Sequence, residues 1–317
     1  MAIDHDQPRE HLCEVAIPAH WRGERGARID DKWLRISCVG RADGPVAVVL
    51  GGISADRFVA RSQHGSGGWW ADIVRAGGAI DLNRWRCVSL DFAPLSPATP
   101  VDLTTADYAD LLAIALRGLE IERVDALVGA SFGAMVGLAF AAREPARVGK
   151  LVAVSAGDRP RPMATALRRV QRRVLDLGLA VGEETTAVAI ARELAMTTYR
   201  TADEFAARFD GPDAVESYLA SRGAAYAAQN GAARYRTLSN AIDRHRVDAA
   251  RIVAPSLLVG VAEDRLVPLA DVAATRARLG GRARLEIISS VYGHDAFLKE
   301  TAAIGAPIRA FLEETTQ

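Results

Sequence analysis

Apolar residues recur with two different periods along this chain of 317 residues. Val46–Leu50 (VAVVL) and residues 86–92 (RCVSLDF) are short, largely apolar runs that end at Gly51–Gly52 and near Pro94, the profile of strands buried on both faces. From 105 to 121 the spacing lengthens. Tyr108, Leu111, Leu112, Ala115, Leu116 and Leu119 recur at helical intervals behind Thr104 and Thr105, which can cap a helix. The pattern then predicts a strand at 124–129, a helix rich in small residues at Phe132–Arg143, and a strand at 150–155. Strand, helix, strand, helix, strand implies a parallel sheet, because parallel neighbours need a crossover between them.

The alternation resumes with Ser256–Val261 (SLLVGV), a helix at 269–279, a strand at 284–289 and a last helix at about 304–313. Residues 157–253 lie between the two blocks. They are rich in Ala and Arg, helical in pattern and free of convincing strands, and no internal repeat is present. The expected organisation is a core of 1–156 with 254–317, capped by a helical lid at 157–253.

With 50% hydrophobic and 25% charged residues, the chain can bury a substantial core, which excludes disorder. Lys plus Arg and Asp plus Glu both number 39, so no charge excess points to nucleic acid or an anionic membrane, and a small-molecule ligand is expected. Cys13, Cys38 and Cys87 are odd in number and lack CxxC spacing, which suits buried thiols in a reducing cytoplasm and implies no metal site. The N-terminal MAIDHDQPREHL lacks a secretory pattern, and nowhere do about eighteen apolar residues run uninterrupted.

Chemistry concentrates in Gly129-Ala130-Ser131-Phe132-Gly133, a GxSxG sequence where a predicted strand meets a predicted helix. A strained turn there presents a serine hydroxyl at the carboxyl end of the sheet, with glycines permitting close backbone approach. The strand–turn–helix setting is that of the α/β-hydrolase fold: a mostly parallel central sheet flanked by helices, here with an inserted lid. A serine nucleophile needs a base, and the base needs a carboxylate to orient it. In this fold they follow in the order serine, carboxylate, histidine. His5, His11, His20 and His64 precede Ser131, and His245 precedes the final strand pair, which leaves His294. Asp264 is the expected acid, Glu263 its alternate, while Asp91 and Asp102 come too early. The amides of Phe132 and of Ile53, with Gly52 beside it, are the expected oxyanion donors.

Beyond the triad the chain resembles the homoserine O-acyltransferases, which acylate homoserine from acetyl-CoA or succinyl-CoA in methionine biosynthesis. The likeness rests on Ser290-Val291-Tyr292-Gly293-His294-Asp295-Ala296-Phe297-Leu298 and on Asp264-Arg265-Leu266-Val267-Pro268. Lid segments carry it as well: Ala191-Arg192 through Thr198-Tyr199-Arg200 to Arg208-Phe209, Val215 to Leu219, and Tyr235 to Asp243. The resemblance implies that Asp295 takes the homoserine ammonium and Arg192 its carboxylate, that acyl-CoA is a co-substrate with no other cofactor, and that the chain forms a homodimer. Tyr199, at i+7 from Arg192, shares its helix face and is expected in the same channel.

Two departures touch the acyl pocket. The nucleophile sequence is Gly-Ala-Ser-Phe-Gly-Ala where Gly-Gly-Ser-Met-Gly-Gly is typical, and the oxyanion loop Gly51-Gly52-Ile53-Ser54-Ala55 lacks the usual histidine. Phe132 and Ala134 are expected to alter the volume beside the nucleophile, which leaves the acyl donor open between acetyl and succinyl. Serine in place of homoserine, and plain ester hydrolysis by the same triad, remain alternatives. The run Arg168-Arg169-Val170-Gln171-Arg172-Arg173 is expected on an amphipathic helix that turns Leu167, Val170, Val174 and Leu177 inward and its arginines to water. Trp69-Trp70 is expected as a structural anchor.

Overall fold

The computed structural model describes residues 10–314, so His5 and most of the N-terminal stretch lie outside the described residues. In chain order the strands are β1 (Glu10–Ala16), β2 (Trp33–Gly40), β3 (Val46–Leu50), β4 (Val74–Arg75), β5 (Ile80–Asp81), β6 (Arg86–Leu90), β7 (Val124–Ala130), β8 (Val148–Val154), β9 (Ser256–Val261) and β10 (Ala283–Ile288). Eight of them form one sheet in the order β1-β2-β6-β3-β7-β8-β9-β10, and β4 pairs only with β5. β2 runs antiparallel to both β1 and β6, while β6 through β10 are parallel. Strands β3, β7, β8 and β9 are buried almost throughout, so their sequences are continuous apolar runs. Edge strand β1 alternates between half-buried and exposed positions and offers no such run, so sequence pattern alone passes over it.

The helices are α1 (Thr105–Gly118), α2 (Phe132–Arg143), α3 (Pro162–Ala180), α4 (Glu184–Tyr199), α5 (Ala202–Arg208), α6 (Pro212–Ala227), α7 (Ala232–Asp243), α8 (Leu269–Arg278), α9 (Ala296–Lys299) and α10 (Thr301–Glu313). Helix α1 starts on a capping box: the Asp107 amide donates to Thr104 Oγ1 at 3.2 Å, and the Thr104 amide donates to Asp107 Oδ2 at 2.7 Å. Helix α2 buries every residue from Phe132 to Ala142, and its small side chains let it lie close on the sheet. No helix among the described residues is long and apolar enough to cross a membrane. The three cysteines are unpaired, and burial pushes the Cys13 thiol up to about 11 and those of Cys38 and Cys87 upward too, which keeps them protonated.

Between β8 and β9 come helices α3 to α7, with their own apolar cluster of Leu175, Ala187, Val188, Ala191, Tyr226, Ala232 and Tyr235. His245 fastens this segment to the core. Its Nε2–H donates to the Gly157 carbonyl at 2.9 Å, and its Nδ1 accepts the Thr105 hydroxyl at 2.7 Å. Burial pulls its pKa down to about 4, so it is a neutral strut at physiological pH.

Helix α3 corrects one expectation. Its inward face is Arg168, Gln171, Arg172 and Leu175, while Val170 and Leu177 are 51% and 70% exposed. The apolar spacing identifies a helix but mistakes which side is turned in. Partners on α7 decide it: Asp243 accepts from Arg168 Nε at 2.7 Å and lies 2.7 Å from Arg172 Nη2, and Ser239 Oγ accepts from Arg172 Nη1 at 2.7 Å. A buried carboxylate makes buried guanidinium groups tolerable, and no periodicity within α3 reveals it.

Candidate active site

Ser131 occupies the turn between β7 and α2 with φ of 51°, the left-handed region that a non-glycine residue enters only when its surroundings hold it there. Its amide donates to the Val154 carbonyl on β8 at 2.9 Å, and the Gly133 amide donates to the Gly51 carbonyl at 2.8 Å. The flanking glycines are steric requirements. A Cβ on Gly129 would sit 2.5 Å from the Ala134 backbone, and one on Gly133 only 2.2 Å from the Leu50 carbonyl oxygen.

From this turn a hydrogen-bond chain runs across the carboxyl ends of the strands. Ser131 Oγ lies 2.8 Å from His294 Nε2, and His294 Nδ1 lies 2.7 Å from Asp264 Oδ2. Asp264 is 3% exposed, and its Oδ1 accepts the amides of Leu266 and Val267 at 2.9 and 2.8 Å. Those bonds fix the carboxylate, which fixes the imidazole tautomer with Nδ1 protonated and Nε2 free to accept the serine proton. The other carboxylates are engaged elsewhere. Glu263 accepts from Ser289 Oγ and the Ser290 amide, Asp91 pairs with Arg57, and Asp102 pairs with Arg25 and Arg244.

Burial is the largest influence on His294 and lowers its pKa. The charge and hydrogen bond of Asp264, helped by Asp295, outweigh burial and the opposing Arg168, so the net displacement is upward from 6.5. The Phe132 amide is the first of α2, and among the described residues neither it nor the Ile53 amide is spent on a backbone carbonyl. Both are available to a developing oxyanion.

Ile53, Ser131, Tyr199 and His294 separate two chambers. The outer one is also lined by Gly52, Trp69, Arg192, Asp295, Phe297 and Leu298, and the inner one by Phe132, Met135, Arg168, Gln171 and Tyr235 among others. The predicted Arg192 and Tyr199 meet there: the guanidinium carbon lies 5.3 Å from the Tyr199 ring centroid and 4.9 Å from that of Tyr226. The Tyr199 ring in turn lies 5.9 Å from the imidazole of His294, so the helical segment touches the base itself. Asp295 Oδ2 accepts from Arg200 Nε at 2.8 Å, and Arg200 also reaches Glu204 at 3.2 Å. Sequence reasoning missed this role of Arg200, since nothing local links it to a residue 95 positions away.

The structure also places the residues beside the nucleophile and the paired tryptophans. The Phe132 ring packs edge-on against Phe92 and Tyr108 at 4.9 and 5.2 Å and is fully buried, so it is a core wall of the inner chamber. Ala134 is equally buried, and its backbone abuts Gly129. The tryptophans divide their duties. Trp70 Nε1 donates to the Phe297 carbonyl at 2.7 Å and anchors the His294 loop, whereas Trp69, stacked on it at 5.1 Å, lines the outer chamber.

The sequence profile of the α/β hydrolase fold family matches residues 63–301. The homoserine O-succinyltransferase of Xanthomonas campestris pv. campestris is 41% identical, with 99% of this chain and 87% of that protein covered. A homoserine O-acetyltransferase of Mycobacterium sp. (strain KMS) is 30% identical, with 92% of each covered. Among solved structures, a homoserine O-acetyltransferase from Staphylococcus aureus superposes with a TM-score of 0.82 at 22% identity, covering 98% of this chain and 97% of the other, which is a likeness of fold.

Proposed function

Because this chain belongs to the homoserine O-acyltransferase family of α/β hydrolases, we propose that it transfers an acyl group from acyl-CoA to the hydroxyl of L-homoserine through an acyl-serine intermediate. The product, an O-acylhomoserine, belongs to methionine biosynthesis. One observation carries the reading: the outer chamber beside Ser131 and His294 is lined by both a guanidinium, Arg192, and a carboxylate, Asp295. That pair of opposite charges suits a zwitterionic amino acid, with its carboxylate on Arg192 and its ammonium on Asp295. A simple ester needs neither.

In the first step His294 Nε2 takes the Ser131 proton as Oγ attacks the thioester carbonyl, and the amides of Phe132 and Ile53 stabilise the oxyanion. The C–S bond breaks, His294 returns the proton to the departing thiolate, and the acyl group stays on Ser131. Homoserine then enters. Its hydroxyl gives its proton to His294, attacks the acyl carbonyl and releases the serine oxygen, which recovers the proton. Helices α3 to α7 act as a lid that keeps water out and holds the amino acid for attack, the difference between a transferase and an esterase on one scaffold. No cofactor beyond acyl-CoA is needed. A cytoplasmic setting and a homodimer belong to the same proposal by family likeness.

The test follows thiol release from acetyl-CoA and succinyl-CoA, each offered homoserine, serine or water alone. Release should accelerate with homoserine above the other two, and indifference to the amino acid would overturn the transferase reading. In Arg192→Ala the homoserine KM should rise about 30-fold, the equivalent of roughly 2 kcal/mol for a lost charged hydrogen bond, while acylation of Ser131 stays nearly unchanged. Steady-state kinetics combined with the pre-steady-state thiol burst separate the two effects.

A further inference from the structure

The corner between α4 and α5 meets the loop that carries His294 through bonds that the acyl-transfer steps do not use. Tyr199 closes α4, and Arg200 follows it in extended backbone. Thr201 then caps α5, its Oγ1 accepting the Glu204 amide at 3.1 Å while its hydroxyl donates to the Val291 carbonyl. Gly293 lies in the left-handed region at φ of 56°, and a Cβ on it would stand 3.1 Å from the Tyr199 carbonyl oxygen, so corner and loop are in direct contact. Into this seam Arg200 sends a side chain that is only 6% exposed. Its Nε donates to Asp295 Oδ2 at 2.8 Å, its Nη1 donates to Glu204 Oε1 at 3.2 Å, and its guanidinium carbon stands 5.6 Å from the Tyr292 ring centroid. Glu204 also accepts from Arg208 Nη1 at 3.1 Å. Two guanidinium groups thus face two carboxylates, and the charges balance.

Arg200 lines neither chamber, so it acts through Asp295. Asp295 lines the outer chamber with Oδ2 bound to Arg200 and Oδ1 in no hydrogen bond among the described residues. Arg192 lines the same chamber, its guanidinium against the rings of Tyr199 and Tyr226 and in no ion pair among the described residues. Opposite charges in one partly desolvated chamber attract each other strongly, and a carboxylate free to turn closes on the guanidinium and cancels the site. The tyrosines hold one charge and Arg200 holds the other. We propose that Arg200 is the positioning residue of the acceptor site, fixing Asp295 so that one oxygen faces the chamber for an ammonium group and the carboxylate stays apart from Arg192. The proposal rests on the amino-acid acceptor reading and deepens it. The amino group meets a carboxylate set in place before the acceptor arrives, which spares the acceptor the work of separating an internal ion pair.

The experiment compares homoserine with 4-hydroxybutanoate, the same acceptor without its amino group, by kcat/KM. The donor is whichever of acetyl-CoA and succinyl-CoA gives the larger thiol burst, and the burst is also measured with no acceptor present. The unmodified protein should favour homoserine about 10²-fold. Arg200→Met should cut that preference about tenfold, chiefly through the homoserine KM, with the burst within about threefold. Arg200→Lys keeps the charge but not the fork that spans both carboxylates, so it should show the same selective loss at smaller size. Because Arg200 acts through Asp295, adding Arg200→Met to Asp295→Asn should lower the preference no further. Losses shared equally by the two acceptors, or losses that add in the double variant, show a merely structural role and overturn the proposal. Equal use of the two acceptors by the unmodified protein, or an unchanged preference in Arg200→Lys, overturns it as well, so the test stands if Arg200→Met folds poorly. The failures are distinguishable. Thiol release indifferent to homoserine in the unmodified protein discards the acceptor reading and the proposal together, whereas homoserine-dependent release with an unselective loss in Arg200→Met discards the proposal alone.

Discussion

Replacing Ser131 with Ala is expected to stop acyl-enzyme formation, with kcat falling on the order of 10⁶-fold. Ser131 Oγ is the group 2.8 Å from His294 Nε2, and no other hydroxyl or thiol is hydrogen-bonded to that imidazole among the described residues. The cysteines are poor substitutes, since burial raises the pKa of their thiols. The fold should survive, because the turn is held by backbone bonds to Val154 and Gly51 and by the glycines beside it. Intact-protein mass spectrometry after mixing with acyl-CoA provides the check. Unmodified protein should gain one acyl group and Ser131→Ala none, and an acylated variant would place the nucleophile elsewhere.

The second large effect is expected from Asp264→Asn. An asparagine there can hold the ring but favours the wrong tautomer, and the loss in kcat is about 10⁴-fold by analogy with other serine triads. The pH profile should move as well. Under the proposed mechanism neutral His294 is the base, so activity is expected to appear along an acidic limb as pH rises through its pKa, which Asp264 displaces upward from the ordinary histidine value against the opposing effect of burial. Burial is the strongest influence on the ring and favours the neutral form, while the charge and hydrogen bond of Asp264 are what overcome it. Without them burial prevails, and the limb should shift to lower pH even as the rate collapses. A limb that stays in place in Asp264→Asn would show that another group controls the titration. Burst rates measured from pH 5 to pH 9, with unfolding followed in parallel, distinguish these outcomes.

Much of this site was legible in the sequence because its chemistry is local. Gly129 to Gly133 states a strained turn in five consecutive residues, and chain order singles out His294. Choosing Asp264 over Glu263 was harder, since both side chains follow β9 in one loop. They separate only in three dimensions, one buried against the imidazole and the other turned to Ser289 and Ser290. What escaped entirely were features decided by distant partners. Arg168 and Arg172 read as solvent-facing until Asp243, some 75 residues on, is placed opposite them. Phe132 does line the inner chamber, but that Phe92 and Tyr108 hold its ring edge-on shows only once distant segments are brought together. Strand β1 escaped for a different reason: with a single neighbour it has no need of the unbroken apolar run that marks β3 or β7.

The triad is carried by turns at the ends of β7, β9 and β10, whereas Arg168, Arg192, Tyr199 and Tyr235 come from the helices between β8 and β9. Under the proposed function, the attacking groups and the side chains that face the acyl group and the acceptor therefore lie on different stretches of chain. Substitutions on the chamber-lining faces of those helices are then expected to change which acyl chain or acceptor is taken while the reacting atoms keep their places.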